Sequence, residues 1–304
     1  MRRLSLKIAA AAHILWAQAS ITTVAFGAPQ EVAINSADGK LSIPSFWFAS
    51  AAGTAAPRPV IIGLHGCGGP LDANGNLSAF LARYAAYFNA EAYHFLAPNS
   101  FAARGEKSIC ATPSARRTIT ELDRREDVFA AMAWLATQPG VDMTRVALVG
   151  WSHGAQTVLN VMDARDPWVA AQPRKPMAAV AFYPGCFGIL KNARYNLSAP
   201  LLLMAGELDN WTPAKNCVTF HERVQAGAGA PFDLEVYPGS YHGFDSLSKV
   251  AERSGLGNTA SGKAMVGGNP DALKASHQRL FDFLALHFAL PLQLTSPQRL
   301  GVVP

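Results

Sequence analysis

From Glu31 to Phe288 the chain alternates short apolar runs with stretches of helical spacing. A run of four to eight apolar residues with no polar face suits a strand buried on both sides. Strands of that kind belong to mostly parallel sheets whose crossover helices cover both faces. Residues 60–64, 92–97, 146–149, 178–182, 200–205 and 234–237 read this way, and 41–48 reads as an earlier, partly exposed strand. Helical patterns fall at 77–89, 119–137 and 153–162, the second stopped by Pro139-Gly140, and a last helix is expected over 271–288. The pattern predicts an α/β fold, a mostly parallel central sheet flanked by helices. Two connections, 99–117 and 245–269, are long enough to be functional or mobile. Neither is large enough to form a second domain, so 28–304 reads as one domain.

Residues 1–27 have a different character. Arg2, Arg3 and Lys7 precede an apolar stretch over 8–19, and a small-residue site follows at Ala25-Phe26-Gly27. This is the layout of a secretory signal peptide. The apolar stretch is short for a membrane span, which needs about 20 mostly apolar residues. The expectation is a periplasmic or secreted protein with no stable membrane association after cleavage. The formal charge of +5 also depends on this segment, since setting those three residues aside leaves 23 basic against 21 acidic side chains. A near-balanced charge speaks against a nucleic-acid partner. Export bears on the four cysteines, Cys67, Cys110, Cys186 and Cys217, because an even count in an oxidising compartment is more often paired than free. None has the Cys/His spacing of a zinc site, and no metal is expected.

The strongest local motif is Gly150-Trp151-Ser152-His153-Gly154, a match to G-x-S-x-G. A sharp strand-to-helix turn lifts the serine hydroxyl clear of the sheet, and glycines on either side allow close backbone approach. Five-residue matches arise by chance. Here an apolar strand run leads directly into the motif and a helical pattern leads out of it. A serine hydroxyl also needs a base, usually a histidine oriented by a carboxylate. Of the downstream histidines, His153 is part of the turn, His221 lies in a helical pattern, and His277 and His287 sit in the last helix. Only His242 follows a strand in a loop. The acid is expected after the 200–205 strand, where Asp209 is favoured over Glu207 because Thr212-Pro213 starts a helix that would hold it. Two N–H donors are needed for the tetrahedral intermediate. His153, just after the nucleophile, supplies one. The His65-Gly66-Cys67-Gly68-Gly69 loop supplies the other, from Cys67 or alternatively Gly68.

Together with Asp123-Arg124-Arg125-Glu126-Asp127, Tyr183-Pro184-Gly185-Cys186 and His242-Gly243-Phe244, these motifs resemble the dienelactone hydrolase-like group of α/β-hydrolases. The resemblance covers most of the chain after residue 27. It implies an esterase or lactonase that acts on a small-molecule ester or lactone without a cofactor. It also implies a strand order in which the strand before Cys67 lies beside that before Cys110, and the strand before Cys186 beside that before Cys217. Cys67–Cys110 and Cys186–Cys217 are then the short pairings. One departure matters: the enzyme that names the family uses a cysteine nucleophile, whereas this chain carries Ser152. A broader ester substrate is therefore expected in place of dienelactone itself.

The leading expectation is an exported carboxylic-ester hydrolase with Ser152, Asp209 and His242 as its triad. A prolyl-oligopeptidase-like peptidase shares fold and triad order but usually carries a large extra domain, for which this chain has no room. A polyester hydrolase is a further alternative, and a non-catalytic binding protein of the same fold the last. Trp151, Tyr183, Phe187, Trp211, Tyr241 and Phe244 neighbour strand ends and are candidates for an apolar pocket. Arg104, Lys107, Arg116 and Arg117 are candidates for holding a substrate carboxylate.

Overall fold

The computed structural model describes residues 29–50, 56–227 and 229–289, and the expected signal segment lies outside them. Ten strands and six α-helices follow one another along the described chain. They are β1 (Gln30–Asn35), β2 (Ser42–Phe48), β3 (Arg58–Leu64), α1 (Ala79–Ala90), β4 (His94–Pro98), α2 (Glu121–Leu135), β5 (Val141–Trp151) and α3 (His153–Val161). Then come α4 (Pro167–Ala170), β6 (Ala178–Phe182), β7 (Leu201–Gly206), α5 (Ala214–Gln225), β8 (Phe232–Tyr237), β9 (Ala251–Ser254), β10 (Lys263–Val266) and α6 (Pro270–Phe288). Eight strands form one sheet in the order β1-β2-β4-β3-β5-β6-β7-β8. The β1–β2 and β2–β4 pairs are antiparallel and all others in this sheet are parallel. This is the α/β-hydrolase fold.

Alternation of side chains along each strand explains why both faces are covered. On β3, Val60, Ile62 and Leu64 enter one core with Val128, Val158 and Phe220 from α2, α3 and α5. Ile61, between them, enters the opposite core with Leu81 of α1 and Phe281 of α6. Strands buried on two sides have no polar face to show, and so they appear in the sequence as unbroken apolar runs. The helix ends follow local chemistry. Thr120 and Asp123 form a reciprocal capping box at the start of α2, and Asn269 caps α6, with Pro270 in its first turn.

Two features depart from the sequence reading. β1, with its mixed polar and apolar residues, was not foreseen, and it pairs only at the sheet edge with β2. The expected loop 245–269 contains the β9–β10 hairpin. That loop also packs onto 99–117: Leu256 and Ala264 join Cys67, Phe101, Ile109, Cys110 and Ile119 in a small third core. The Asn258 Oδ1 accepts from the Ser114 N–H and hydroxyl at 2.8 and 2.9 Å, and the Gly257 N–H donates to the Cys110 carbonyl at 2.9 Å. The two long connections thus make one wall above the strand ends. Both disulfides are present with the pairing that the resemblance implied, Cys67–Cys110 and Cys186–Cys217. Among the described residues no helix is long and apolar enough to cross a membrane.

Candidate active site

The carboxyl ends of the parallel strands converge on one rim, the usual place for a ligand site in such sheets. β5 delivers Ser152 there, in a turn with φ 54° and ψ −115°, a conformation that is strained for a residue with a side chain. The turn closes only because glycine stands on either side of it. A Cβ on Gly154 would meet the Leu64 carbonyl oxygen at 1.9 Å, and one on Gly150 would meet the Gly154 oxygen at 2.5 Å. The motif spacing is therefore a steric requirement of bringing α3 hard against β3 and β5.

His242, in the loop after β8, places Nε2 3.0 Å from the Ser152 hydroxyl. Its Nδ1 lies 2.8 Å from the Asp209 Oδ2, on the loop after β7. A carboxylate only accepts, so Nδ1 carries the proton and Nε2 presents its lone pair to the serine O–H. Asp209 is held from several sides. Its Oδ1 accepts from the Trp211 and Thr212 N–H groups, both at 2.8 Å, and its Oδ2 accepts from the Thr212 hydroxyl at 2.8 Å. Burial pushes its carboxyl up, but the His242 charge and hydrogen bond and the Thr212 donors outweigh that and hold it below the ordinary range. Glu207 points elsewhere: it is exposed and accepts from the Gly239 N–H at 2.8 Å. Of the two candidate acids, Asp209 alone is joined to the histidine.

The segments carrying the two expected oxyanion donors are tied together by a residue the sequence reading left without a role. Arg124 of α2 is wholly buried, and its Nη2 donates to the His65 carbonyl at 2.8 Å while its Nη1 donates to the His153 Nδ1 at 2.8 Å. His153 is therefore a neutral ring protonated on Nε2, which lies 3.3 Å from Glu121 Oε1 without the alignment of a hydrogen bond. Burial, then the Arg124 charge, keep both His153 and His65 well below the usual histidine range. Burial also lowers Arg124 itself, to about 10. Cys67 and Ser152 line the same two cavities, and the Cys67–Cys110 bridge fastens that loop to the wall above.

A second network missed by the sequence reading lies beneath the histidine. Asp245, three residues after His242, is fully buried and accepts three side-chain hydrogen bonds. They come from the Tyr84 hydroxyl at 2.6 Å, the Tyr183 hydroxyl at 2.8 Å and the Trp151 indole N–H at 3.0 Å. Trp151 immediately precedes Ser152, and the Tyr183 ring packs on His242 with centroids 4.6 Å apart. Burial raises the Asp245 carboxyl above its ordinary range even though the two tyrosines pull the other way. An aspartate set between Phe244 and the polar 246–249 stretch has no pattern to mark it as buried, so only the adjacent His242 could have drawn attention to it.

The candidate pocket residues divide. Trp151, Tyr183 and Trp211 line a cavity of about 260 Å³ beside Ser152 and His242, and Phe187 and Trp211 line one of about 430 Å³ on the other side. Phe244 is core, and Tyr241 lines neither cavity. Among the basic candidates, Arg104 is paired with Asp127 through Nη1 and Nη2 at 2.9 and 3.0 Å. Lys107 lines a different cavity, Arg116 is exposed, and only Arg117 lines a cavity with Ser152.

A serine on a strained strand-to-helix turn, with a histidine and a carboxylate on later strand ends, is the arrangement of an α/β-hydrolase. The model of the dienelactone hydrolase family matches residues 49–288, and the chain belongs to that family of hydrolases. Solved structures agree in fold. A dienelactone hydrolase-like promiscuous phosphotriesterase from metagenomic libraries superposes with a TM-score of 0.62 at 17 % identity, covering 86 % of this chain and 99 % of that one. A thermophilic esterase of Thermogutta terrifontis with propionate bound gives 0.61 at 16 % identity, covering 89 % and 98 %. A curated relative, "Probable dipeptidyl-aminopeptidase B" of Trichophyton verrucosum, is 25 % identical over 159 residues. The match covers 46 % of this chain, which spans only 17 % of that relative's length.

Proposed function

We propose that the protein is an exported serine hydrolase of carboxylic esters, with residues 1–27 removed as a signal and 28–304 acting as a single domain. The observation that carries this reading is the unbroken relay from the Ser152 hydroxyl through His242 to Asp209, at 3.0 and 2.8 Å. Ser152 Oγ attacks the ester carbonyl while His242 Nε2 takes its proton, and the buried Asp209 carboxylate stabilises the resulting imidazolium. The developing oxyanion accepts from the Cys67 and His153 N–H groups. His242 returns the proton to the departing alcohol oxygen, leaving an acyl-enzyme on Ser152. Water, deprotonated by the same histidine, then releases the acid and restores the serine. Two disulfides among the described cysteines favour the exported reading.

Labelling with a fluorophosphonate probe, with and without Ser152→Ala, tests the nucleophile directly. Turnover of p-nitrophenyl acetate or butyrate, with little on long-chain esters, is the expected activity. The aminopeptidase relative gives the peptidase reading its one support. Faster cleavage of a peptide p-nitroanilide than of the short esters would replace the esterase reading with that one.

A further inference from the structure

Ser152 sits between two cavities that share Cys67 and Trp211 but differ in their other walls, and His242 decides which part of an ester each receives. The cavity of about 260 Å³ is lined by His242 together with Phe80, Trp151, Tyr183, Trp211 and Val266. The cavity of about 430 Å³ contains Ser152 and His153 but not His242, and its walls carry Arg117, Gln156, Lys191, Asn216 and Asn258. In ester cleavage the leaving oxygen must lie within reach of the base that protonates it. The alcohol therefore occupies the aromatic side with His242, and the acyl group extends along the polar side.

Each side has a definite chemistry. The alcohol side is walled by flat rings in mutual contact. Phe80 meets Trp151 edge-on at 5.4 Å, and Trp211 packs on His242 at 4.6 Å, with the Arg253 guanidinium 5.4 Å from the indole centroid. A compact aromatic group fits such a slot by stacked and edge-on contact. The acyl side continues past Gln156 and Lys191 into a further cavity of about 450 Å³ whose walls include Asn160, Asp163, Asp166 and Asn192. Its acids are fixed in place: Asp163 accepts from Asn192 Nδ2 at 2.7 Å and Asp166 from Arg125 Nη1 at 2.8 Å, and Glu121 lines both this cavity and the one beside Ser152. What remains is a long trough of fixed amides and a few charges. At its rim stands the exposed Phe187 ring, which offers a flat apolar face of the kind a sugar ring stacks on. A plain alkyl chain would strip water from these polar groups without replacing their hydrogen bonds. A polyhydroxylated chain replaces them.

Resting on the serine-esterase reading above, the geometry points to esters of a polyhydroxylated, sugar-type acid with a compact aromatic alcohol as the substrate class. Four probes test it: the benzyl and ethyl esters of glucuronic acid, benzyl butyrate, and p-nitrophenyl acetate as the control for basal activity. The benzyl glucuronate is expected to exceed both the ethyl glucuronate and the benzyl butyrate at least tenfold in kcat/KM. Phe80→Leu, which keeps the slot apolar but removes a ring, is expected to lower kcat/KM for the benzyl esters about tenfold and change the ethyl ester less than twofold. Asn216→Ala is expected to raise KM for the glucuronate esters severalfold and leave benzyl butyrate unchanged. Butyrate cleaved as well as glucuronate would overturn the acyl assignment. An equal loss on ethyl and benzyl esters in Phe80→Leu would overturn the alcohol assignment. Absence of fluorophosphonate labelling at Ser152 would remove the serine-esterase reading and this assignment with it. Normal labelling and acetate turnover without the preferences would refute this assignment alone.

Discussion

Replacing Asp245 separates a residue that merely fills space from one that holds the site in shape. Asp245→Ala leaves three buried donors, from Tyr84, Tyr183 and Trp151, without their acceptor. Each buried group left unsatisfied costs about 1–3 kcal/mol. Taking the lower half of that range, the variant should lose about 4–5 kcal/mol, a large part of the roughly 5–15 kcal/mol of a typical domain. For a domain of this size that is a fall in Tm of about 10–15 °C. Asp245→Asn differs in an instructive way. Its one oxygen can keep both bonds that now reach Oδ2, and the Tyr183 hydroxyl can turn to accept from the amide. It should lose only about 1 kcal/mol. Because Trp151 adjoins Ser152 and Tyr183 packs on His242, the kcat of Asp245→Ala should fall about tenfold at temperatures where it is still folded, with KM little changed. The pH dependence has a definite sign. The folded state holds this carboxyl above its ordinary range. Its contribution to stability is therefore complete below that range and is lost as pH rises toward the raised value. The gap in Tm between wild type and Asp245→Asn should accordingly be widest in acid and narrow as pH rises. Calorimetry across pH with kinetics on p-nitrophenyl acetate measures all of this. A Tm for Asp245→Ala within 2 °C of wild type (no more than about 1 kcal/mol), or Asp245→Asn as damaged as Asp245→Ala, would refute the reasoning.

Other expectations concern the triad and its supports. Ser152→Ala should abolish probe labelling and lower kcat by several orders of magnitude with an unchanged circular dichroism spectrum. Asp209→Asn should cost on the order of 10³–10⁴ in kcat, and Glu207→Gln, remote from the histidine, less than about twofold. The reverse order in steady-state kinetics would reassign the acid. Since Asp209 is held below the ordinary carboxylate range, its stabilising contribution is present above that range and should be lost as pH falls through its lowered value. The difference in Tm between wild type and Asp209→Asn should shrink in acid. Cys110→Ala and Cys217→Ala each open a bridge, with sequence separations of 43 and 31, and each should lose about 4 kcal/mol in the chain-entropy model. Only the first should also lower kcat markedly, because Cys67 belongs to the loop expected to supply an oxyanion donor. Equal kinetic loss in both variants would argue against that role.

The strands could be read from the sequence because a sheet buried on both faces leaves unbroken apolar runs such as 178–182 and 200–205. The β5–Ser152–α3 turn was legible because the two glycines stand at a fixed spacing around the serine, although the Leu64 carbonyl that Gly154 must clear is brought there only by the fold. Asp209 and His242 could be proposed because each follows a strand end, and the fold sets their order along the chain. Edge strand β1 and the β9–β10 hairpin escaped because β1 and β10 each bury a single residue and β9 none, too few to show a period. Arg124 and Asp245 escaped for a different reason. A charged side chain is buried only when its partners are assembled around it, and those partners lie up to 161 residues away along the chain. The polarity of the two cavities beside Ser152 is tertiary in the same way, since each wall is built from loops and helices brought together only when the sheet closes. Local sterics and periodicity, which act between near neighbours, could therefore be read from the sequence. The long-range pairing of buried polar groups, and with it the shape of the site, came from the folded chain.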